Sequence, residues 1–215
     1  MKKAVIFDLD GTLINSIPDI AGCMNKILEK YGLPTHPEDS YKYKTGNGVI
    51  KMVERALGEH TEYMETALRE YTEAYSLHCT DRSYAYPGVT EMLEGLVERG
   101  FKVCVLTNKD QNQTESVLHK FFPGITFSAV LGRIPGFPLK PDPAGALKIA
   151  HDLGIAIPDF WYVGDTSMDM KCGTAAGMEI VGVLWGFRPR EELVANGAKR
   201  LIACPEEFLQ LVDAE

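Results

Sequence analysis

No stretch of this 215-residue chain carries the roughly 20 consecutive apolar residues that a bilayer-spanning helix needs. Only Ala4-Val5-Ile6-Phe7 precede the first acidic residue, too few for the apolar region of a secretory signal, so the expectation is a chain neither exported nor anchored. Basic residues are in deficit: 22 Lys and Arg stand against 30 Asp and Glu, a net charge of −8. Nucleic acid and anionic membranes are therefore poor partners for the chain as a whole, and an anionic ligand must be met by locally placed positive groups. The cysteines, Cys23, Cys79, Cys104, Cys172 and Cys204, are odd in number and not closely paired. That spacing argues against a disulfide framework or a zinc site and for reduced thiols in a cytoplasmic setting. His36, His60, His78, His119 and His151 are scattered, without metal-ligand spacing. No internal repeat or low-complexity tract is present.

What the chain does have begins at its first apolar run. Ala4-Val5-Ile6-Phe7 reads as a buried strand, and Asp8-Leu9-Asp10-Gly11-Thr12-Leu13 follows it at once. Residues two apart on an extended chain project to one face, so Asp8 and Asp10 stand roughly 6.6 Å apart along the backbone. Two acids this close ionise together only beside a cation; otherwise one stays protonated. Gly11 permits a sharp exit from the strand, and Thr12 offers a hydroxyl where an oxyanion would lie.

Periodicity organises the rest. With 45% apolar residues the chain can bury one large core and a smaller satellite. Helical spacing runs through Ile17, Ile20, Ala21, Met24, Ile27, Leu28 and Tyr31, with Ser16 as the expected cap and Gly32 as the stop. Two further stripes, Val49 to Leu57 and Met64 to Ala74, predict a small helical insertion with no strand between Ser16 and Tyr84. From Tyr86 onward, helix and strand alternate: Val89 to Arg99, Phe101 to Thr107, Asn112 to Phe122, Phe127 to Leu131, Ala144 to Leu153, Phe160 to Gly164, Ile180 to Trp185. The expected fold is α/β: a doubly wound, three-layer, Rossmann-like parallel sheet core with an inserted all-helical cap. Residues 1–14 and 86–215 form the core in this reading, and 15–85 the cap. Trp161 and Trp185 are expected as strand residues packing under helices.

In such a sheet the carboxyl ends of the strands converge on one edge, where ligands bind. Four polar segments stop there: Asp8-Leu9-Asp10-Gly11-Thr12, Thr107-Asn108-Lys109, Lys140-Pro141-Asp142-Pro143 and Gly164-Asp165-Thr166-Ser167-Met168-Asp169. In order and spacing these resemble the four motifs of the haloacid dehalogenase-like hydrolases. Around Thr45-Gly46-Asn47-Gly48 and Tyr86-Pro87-Gly88-Val89 the chain is most similar to the phosphoglycolate phosphatase group.

The resemblance implies a phosphatase of small phosphate monoesters. Asp8 would attack phosphorus and form an aspartyl-phosphate, while Asp10 serves as acid and then base. Mg2+ would be held by Asp8, the Asp10 backbone carbonyl and Asp165, with Asp169 orienting the site. Thr107 and Lys140 would hold the phosphoryl oxygens, Asn108 would assist through its amide, and Lys140 would also keep Asp8 and Asp165 together. The leaving group would face the cap, where backbone amides of Gly46, Asn47 and Gly48 would take a substrate carboxylate. Lys42 and Lys44, interleaved with Tyr41 and Tyr43, offer a second, weaker anion contact. The expected partner is a small phosphorylated metabolite, met by a monomer or homodimer. An inorganic pyrophosphatase, a phosphosugar mutase, a phosphonate hydrolase using Lys42, Lys44 or Lys51, and a phospho-accepting receiver switch remain alternatives. A receiver would lack the helical insertion after its paired acids.

Overall fold

The computed structural model describes residues 2–214. Its main sheet has six parallel strands in the order β5-β4-β1-β6-β7-β8: β1 (Ala4–Phe7), β4 (Lys102–Asp110), β5 (Ala129–Arg133), β6 (Phe160–Gly164), β7 (Glu179–Val183) and β8 (Arg200–Ile202). Period-two alternation sorts each strand into two cores. Val5, Phe7, Val103, Val105, Trp161 and Val163 belong to one apolar cluster, and Ala4, Ile6, Cys104, Phe160 and Tyr162 to the other. Helices α5 (Val89–Glu98), α6 (Gln111–Phe121) and α10 (Pro205–Asp213) supply the first cluster; α7 (Ala144–Leu153) and α8 (Ser167–Ala176) supply the second. This is the expected three-layer arrangement. A short α9 (Arg190–Ala195) leads into β8.

Between the first and second sheet strands in sequence lie α1 (Ile17–Lys30), α2 (Tyr41–Lys44), α3 (Val49–Leu57) and α4 (Met64–His78). They are framed by β2 (Ile14–Asn15) and β3 (Tyr84–Ala85), which pair antiparallel as a two-residue ribbon. The predicted stripe of α1 is buried from Ile17 to Leu28, and the helix ends at Lys30, with Gly32 two residues on at φ +68°. Ser16 does not cap it. Its buried hydroxyl has no partner among the described residues, and the Ile17 N–H instead donates to Asn15 Oδ1 at 3.1 Å. Asp19, buried in the first turn of α1, binds Arg82 N and both the N–H and hydroxyl of Ser83, at 2.6–3.1 Å. That carboxylate ties the helical segment's first helix to its exit strand.

Three strands differ from expectation, β5 being shifted two residues onward to Ala129–Arg133 from the expected Phe127 to Leu131. β4 continues past Thr107 to Asp110 through a register shift against β5, and β7 stops at Val183. Trp185 therefore lies in the turn after β7, donating Nε1–H to Thr12 O at 3.0 Å. Trp161 is a fully buried strand residue, as expected. Among the described residues no helix is long and apolar enough to cross a membrane.

Candidate active site

Sheet register assembles the site. Phe7 of β1 is level with Val105 on one side and Val163 on the other, so Asp8 emerges one residue later, and Thr107 and Asp165 two residues later, at a common edge. All three are buried. The Lys140 loop and the first turn of α8 complete the edge: Lys140 Nζ lies 2.8 Å from Asp8 Oδ1 and 2.7 Å from Asp169 Oδ1. Lys140 thus joins Asp8 to Asp169, not to Asp165 as its sequence position suggests.

Each acid has its own support. Asp8 Oδ1 also accepts the Leu9 N–H at 2.7 Å. Asp169 closes a capping box at the start of α8: its Oδ2 accepts from Thr166 N at 3.0 Å and Thr166 Oγ1 at 2.7 Å. Asp165 accepts from Thr12 Oγ1 at 3.0 Å and from Phe187 N at 2.8 Å. The Thr12 hydroxyl is therefore committed to a carboxylate and not to a substrate oxyanion. Space around Asp165 is enforced by glycine. A Cβ on Gly11, whose φ is +92°, would lie 2.2 Å from Asp165 Oδ2, and one on Gly186 would lie 2.2 Å from Asp165 Cβ.

Asp8, Asp165 and Asp169 can each offer an oxygen such that the three lie within 4.8 Å of one another. Burial, then the charge of Asp169, pushes the Asp8 carboxyl up to about 7 against the pull of Lys140. Burial and the Asp169 and Asp8 charges likewise hold Asp165 well above the usual carboxylate range. Burial alone would lower Lys140, but the charges of Asp169 and Asp8 outweigh it and keep the ammonium protonated. Were all three acids ionised, one ammonium would leave two negative charges, and hard oxygen donors with that deficit fit a divalent cation such as Mg2+.

Asp10 stands apart from this cluster. Its two carboxylate oxygens lie 3.0 and 3.2 Å from Lys109 Nζ. The expected assistance of Asn108 at a phosphoryl group is not what its side chain does. Nδ2 donates to Gly46 O and Lys140 O, both at 3.0 Å, and Oδ1 accepts the Lys140 N–H at 2.9 Å. Asn108 clasps the Lys140 loop and the loop of residues 45–48 to the end of β4.

Above the edge is a cleft of about 670 Å³, its open mouth included, lined by Asp8, Asp10, Thr107, Lys109 and Lys140 below. Residues 15–85 contribute Ile20, Thr45, Gly46, Gly48, Val49, Met52, Tyr71 and Tyr75, none of them charged. Gly46 and Gly48 line the cleft as expected, but Asn47 turns its side chain to Met168 Sδ (3.3 Å) and Arg55 (2.8 Å). Lys42 pairs with Asp39, Lys44 reaches the Arg55 carbonyl, and Lys51 pairs with Glu54; none of the three lines the cleft. Arg188, from the turn after β7, binds the carbonyls of Lys42 and Thr45 and seats the 42–48 loop on the sheet edge.

Lys109, Tyr75, Gly186 and Arg188 carry no expectation from the sequence. For Lys109 a signal existed: it lies two residues after Thr107 on one strand and so faces the same way. Tyr75 follows Tyr71 by one helical turn.

Residues 5–183 match the model of the haloacid dehalogenase-like hydrolase family. A phosphoglycolate phosphatase of Haemophilus influenzae is 34% identical over 194 residues, covering 86% of this chain and 87% of its own length. Another, of Psychrobacter arcticus, is 34% identical over 201 residues, covering 89% and 87%. Among solved structures, a predicted phosphoglycolate phosphatase from Haemophilus somnus superposes with a TM-score of 0.89 at 27% identity, over 98% of both chains. A sheet edge bearing four polar segments in this order, a family match from β1 through β7 and relatives one-third identical over most of both chains make this protein a haloacid dehalogenase-like hydrolase.

Proposed function

We propose that the chain is a Mg2+-dependent phosphatase that hydrolyses a small phosphate monoester, phosphoglycolate or a close analogue, through an aspartyl-phosphate on Asp8. The observation that carries this reading is the buried set of Asp8, Asp165 and Asp169, with Lys140 as its one ammonium partner among the described residues, beside a separately held Asp10. Asp8, the Asp10 carbonyl and Asp165 would hold Mg2+, which would supply Lewis-acid charge at the phosphoryl oxygens.

The chain's own groups do the remaining work. Lys140 and Leu9 N–H fix Asp8 Oδ1. No bond to Oδ2 is found among the described residues, and that oxygen is the attacking one. As it bonds to phosphorus, the phosphorus–leaving-group bond breaks, and the leaving oxygen keeps the electron pair and takes a proton from Asp10. Water then attacks phosphorus and returns a proton to Asp10, and the bond to Asp8 breaks. Thr107 and Lys140 face the charge spread over the phosphoryl oxygens. Residues 15–85 act as a cap hinged at the β2–β3 ribbon, shutting water out during the first step. Gly46 and Gly48 line the cleft, where their backbone N–H groups would meet the leaving group. The absence of cationic side chains among the cap residues lining the cleft favours a phosphatase over a mutase, which must hold a second phosphate, and over a Schiff-base phosphonate hydrolase. Five unpaired thiols support a cytoplasmic setting.

The test is phosphate release from phosphoglycolate, sugar phosphates and pyrophosphate, with Mg2+ or chelator. Turnover should require Mg2+ and fall to background in Asp8→Asn. Fastest turnover of pyrophosphate would replace the phosphomonoesterase reading, and a stable phospho-adduct without release would overturn it.

A further inference from the structure

Lys109 is buried, with 3% of its side chain exposed, and among the described residues it and Lys140 are the only cations lining the cleft. An ammonium has three donors. Here they reach both Asp10 oxygens, at 3.0 and 3.2 Å, and the Tyr75 hydroxyl at 2.7 Å. Tyr75 belongs to α4, and its ring stacks on Tyr71 at 5.3 Å while lying 4.7 Å from the same ammonium. Lys109 is thus held by protein groups on two sides. Its bonds run between the acid at the sheet edge and one tyrosine of the helical segment.

We infer that Lys109 and Tyr75 are positioning residues that aim the Asp10 carboxyl at the leaving oxygen, so that proton transfer is competent only when the helical segment is docked on the sheet edge. The inference rests on the phosphatase reading above. A carboxylate gripped at both oxygens by a fixed ammonium keeps one rotamer, whereas Asp10 is 20% exposed on its side chain and otherwise free to turn toward solvent. Burying an ammonium requires such partners, here supplied by Asp10 and Tyr75.

Leaving-group dependence separates aim from general damage. A departing alkoxide, as in phosphoglycolate, requires the proton from Asp10; a departing p-nitrophenolate does not. With saturating Mg2+, Lys109→Met should lower kcat/KM for phosphoglycolate by about 100-fold, the lower end of acid–base contributions, and for p-nitrophenyl phosphate by less than about 3-fold. Asp10→Asn serves as the reference for this pattern. Tyr75→Phe, which removes one oxygen from a stacked ring and keeps its shape, should repeat the pattern at about 5–10-fold. Equal losses on both esters, or no loss on either, in the Tyr75 and Lys109 variants would overturn the positioning role. Should Asp10→Asn show the dependence while they do not, the phosphatase reading stands and this inference alone fails. An inactive wild-type chain would overturn both.

Discussion

Along the sheet edge the cleft is walled by Asp8, Asp10, Lys109 and Lys140, whereas residues 15–85 offer it Ile20, Val49, Met52, Tyr71 and Tyr75. The lower wall is placed by β-register, with Phe7 level with Val105 and Val163, and its ion pairs close within 3.2 Å. The upper wall is placed by loop carbonyls, those of Lys42, Thr45 and Gly46, seated on Arg188 and Asn108. Charge on rigid strands and apolar surface on a docked segment divide the labour. One side must hold geometry to fractions of an ångström, while the other must exclude water and release product.

The largest effect should come from crowding the lower wall. Gly186→Ala places a Cβ against Asp165 and the Gly11 carbonyl, so Mg2+ affinity read by titration of activity should fall by about 10–100-fold, with thermal stability reduced less than function. An unchanged affinity would remove the glycine cradle from the account of the site. Next comes the tie between the regions. Asp19→Ala leaves the N–H groups of Arg82 and Ser83 without their buried acceptor and should cost about 3 kcal/mol in denaturant unfolding, with the helical segment losing amide protection first. Uniform loss of protection across the sheet would show the two regions to be one cooperative unit.

Proton linkage tests the charge balance of the lower wall at smaller amplitude. Folded without metal, Asp8 titrates near 7 and Asp165 is also raised, against an ordinary value of 3.8 for both when unfolded. Between those values the folded chain binds more protons than the unfolded one, so in chelator stability should rise as pH falls from 7.5 to 5.5. The melting temperature should increase by several degrees over that window, and saturating Mg2+, which favours the ionised acids, should flatten or reverse the trend. An identical slope with and without Mg2+ would refute the two-charge deficit. Smallest of all, Lys42→Ala and Lys51→Ala remove exposed ion pairs outside the cleft, and KM should stay within about 2-fold. A larger change in KM would mean that the upper wall carries charge after all.

Much of this molecule was legible before its structure. The continuous apolar run of Ala4–Phe7 and the helical spacing in α1 reflect burial, a local property written along each element, so strand and helix positions largely followed. Acids at strand ends located the site, because an open parallel sheet gathers those ends on one edge. Ser16 misled because capping geometry depends on which side chain the turn presents, and Asn15 presents its own. Beyond Trp185 the elements α9, β8 and α10 are short, and the pattern there is carried by tertiary contacts such as Phe208 packing edge-on against Phe7 and Trp161, at ring distances of 5.8 and 6.0 Å.

By itself, then, the sequence determined the layer order of helix and strand and the acids that stand at the sheet edge, since both are written in residue type and spacing along one segment. Only tertiary structure decided which bonds those polar groups make: Thr12 to Asp165, Asn108 to Lys140 and Gly46, Lys140 to Asp169, Lys109 to Asp10 and Tyr75. Leaving a buried donor or acceptor unpaired is costly, and the partner of each of these groups comes from a segment tens of residues away, delivered by sheet register and by the docking of the helical segment.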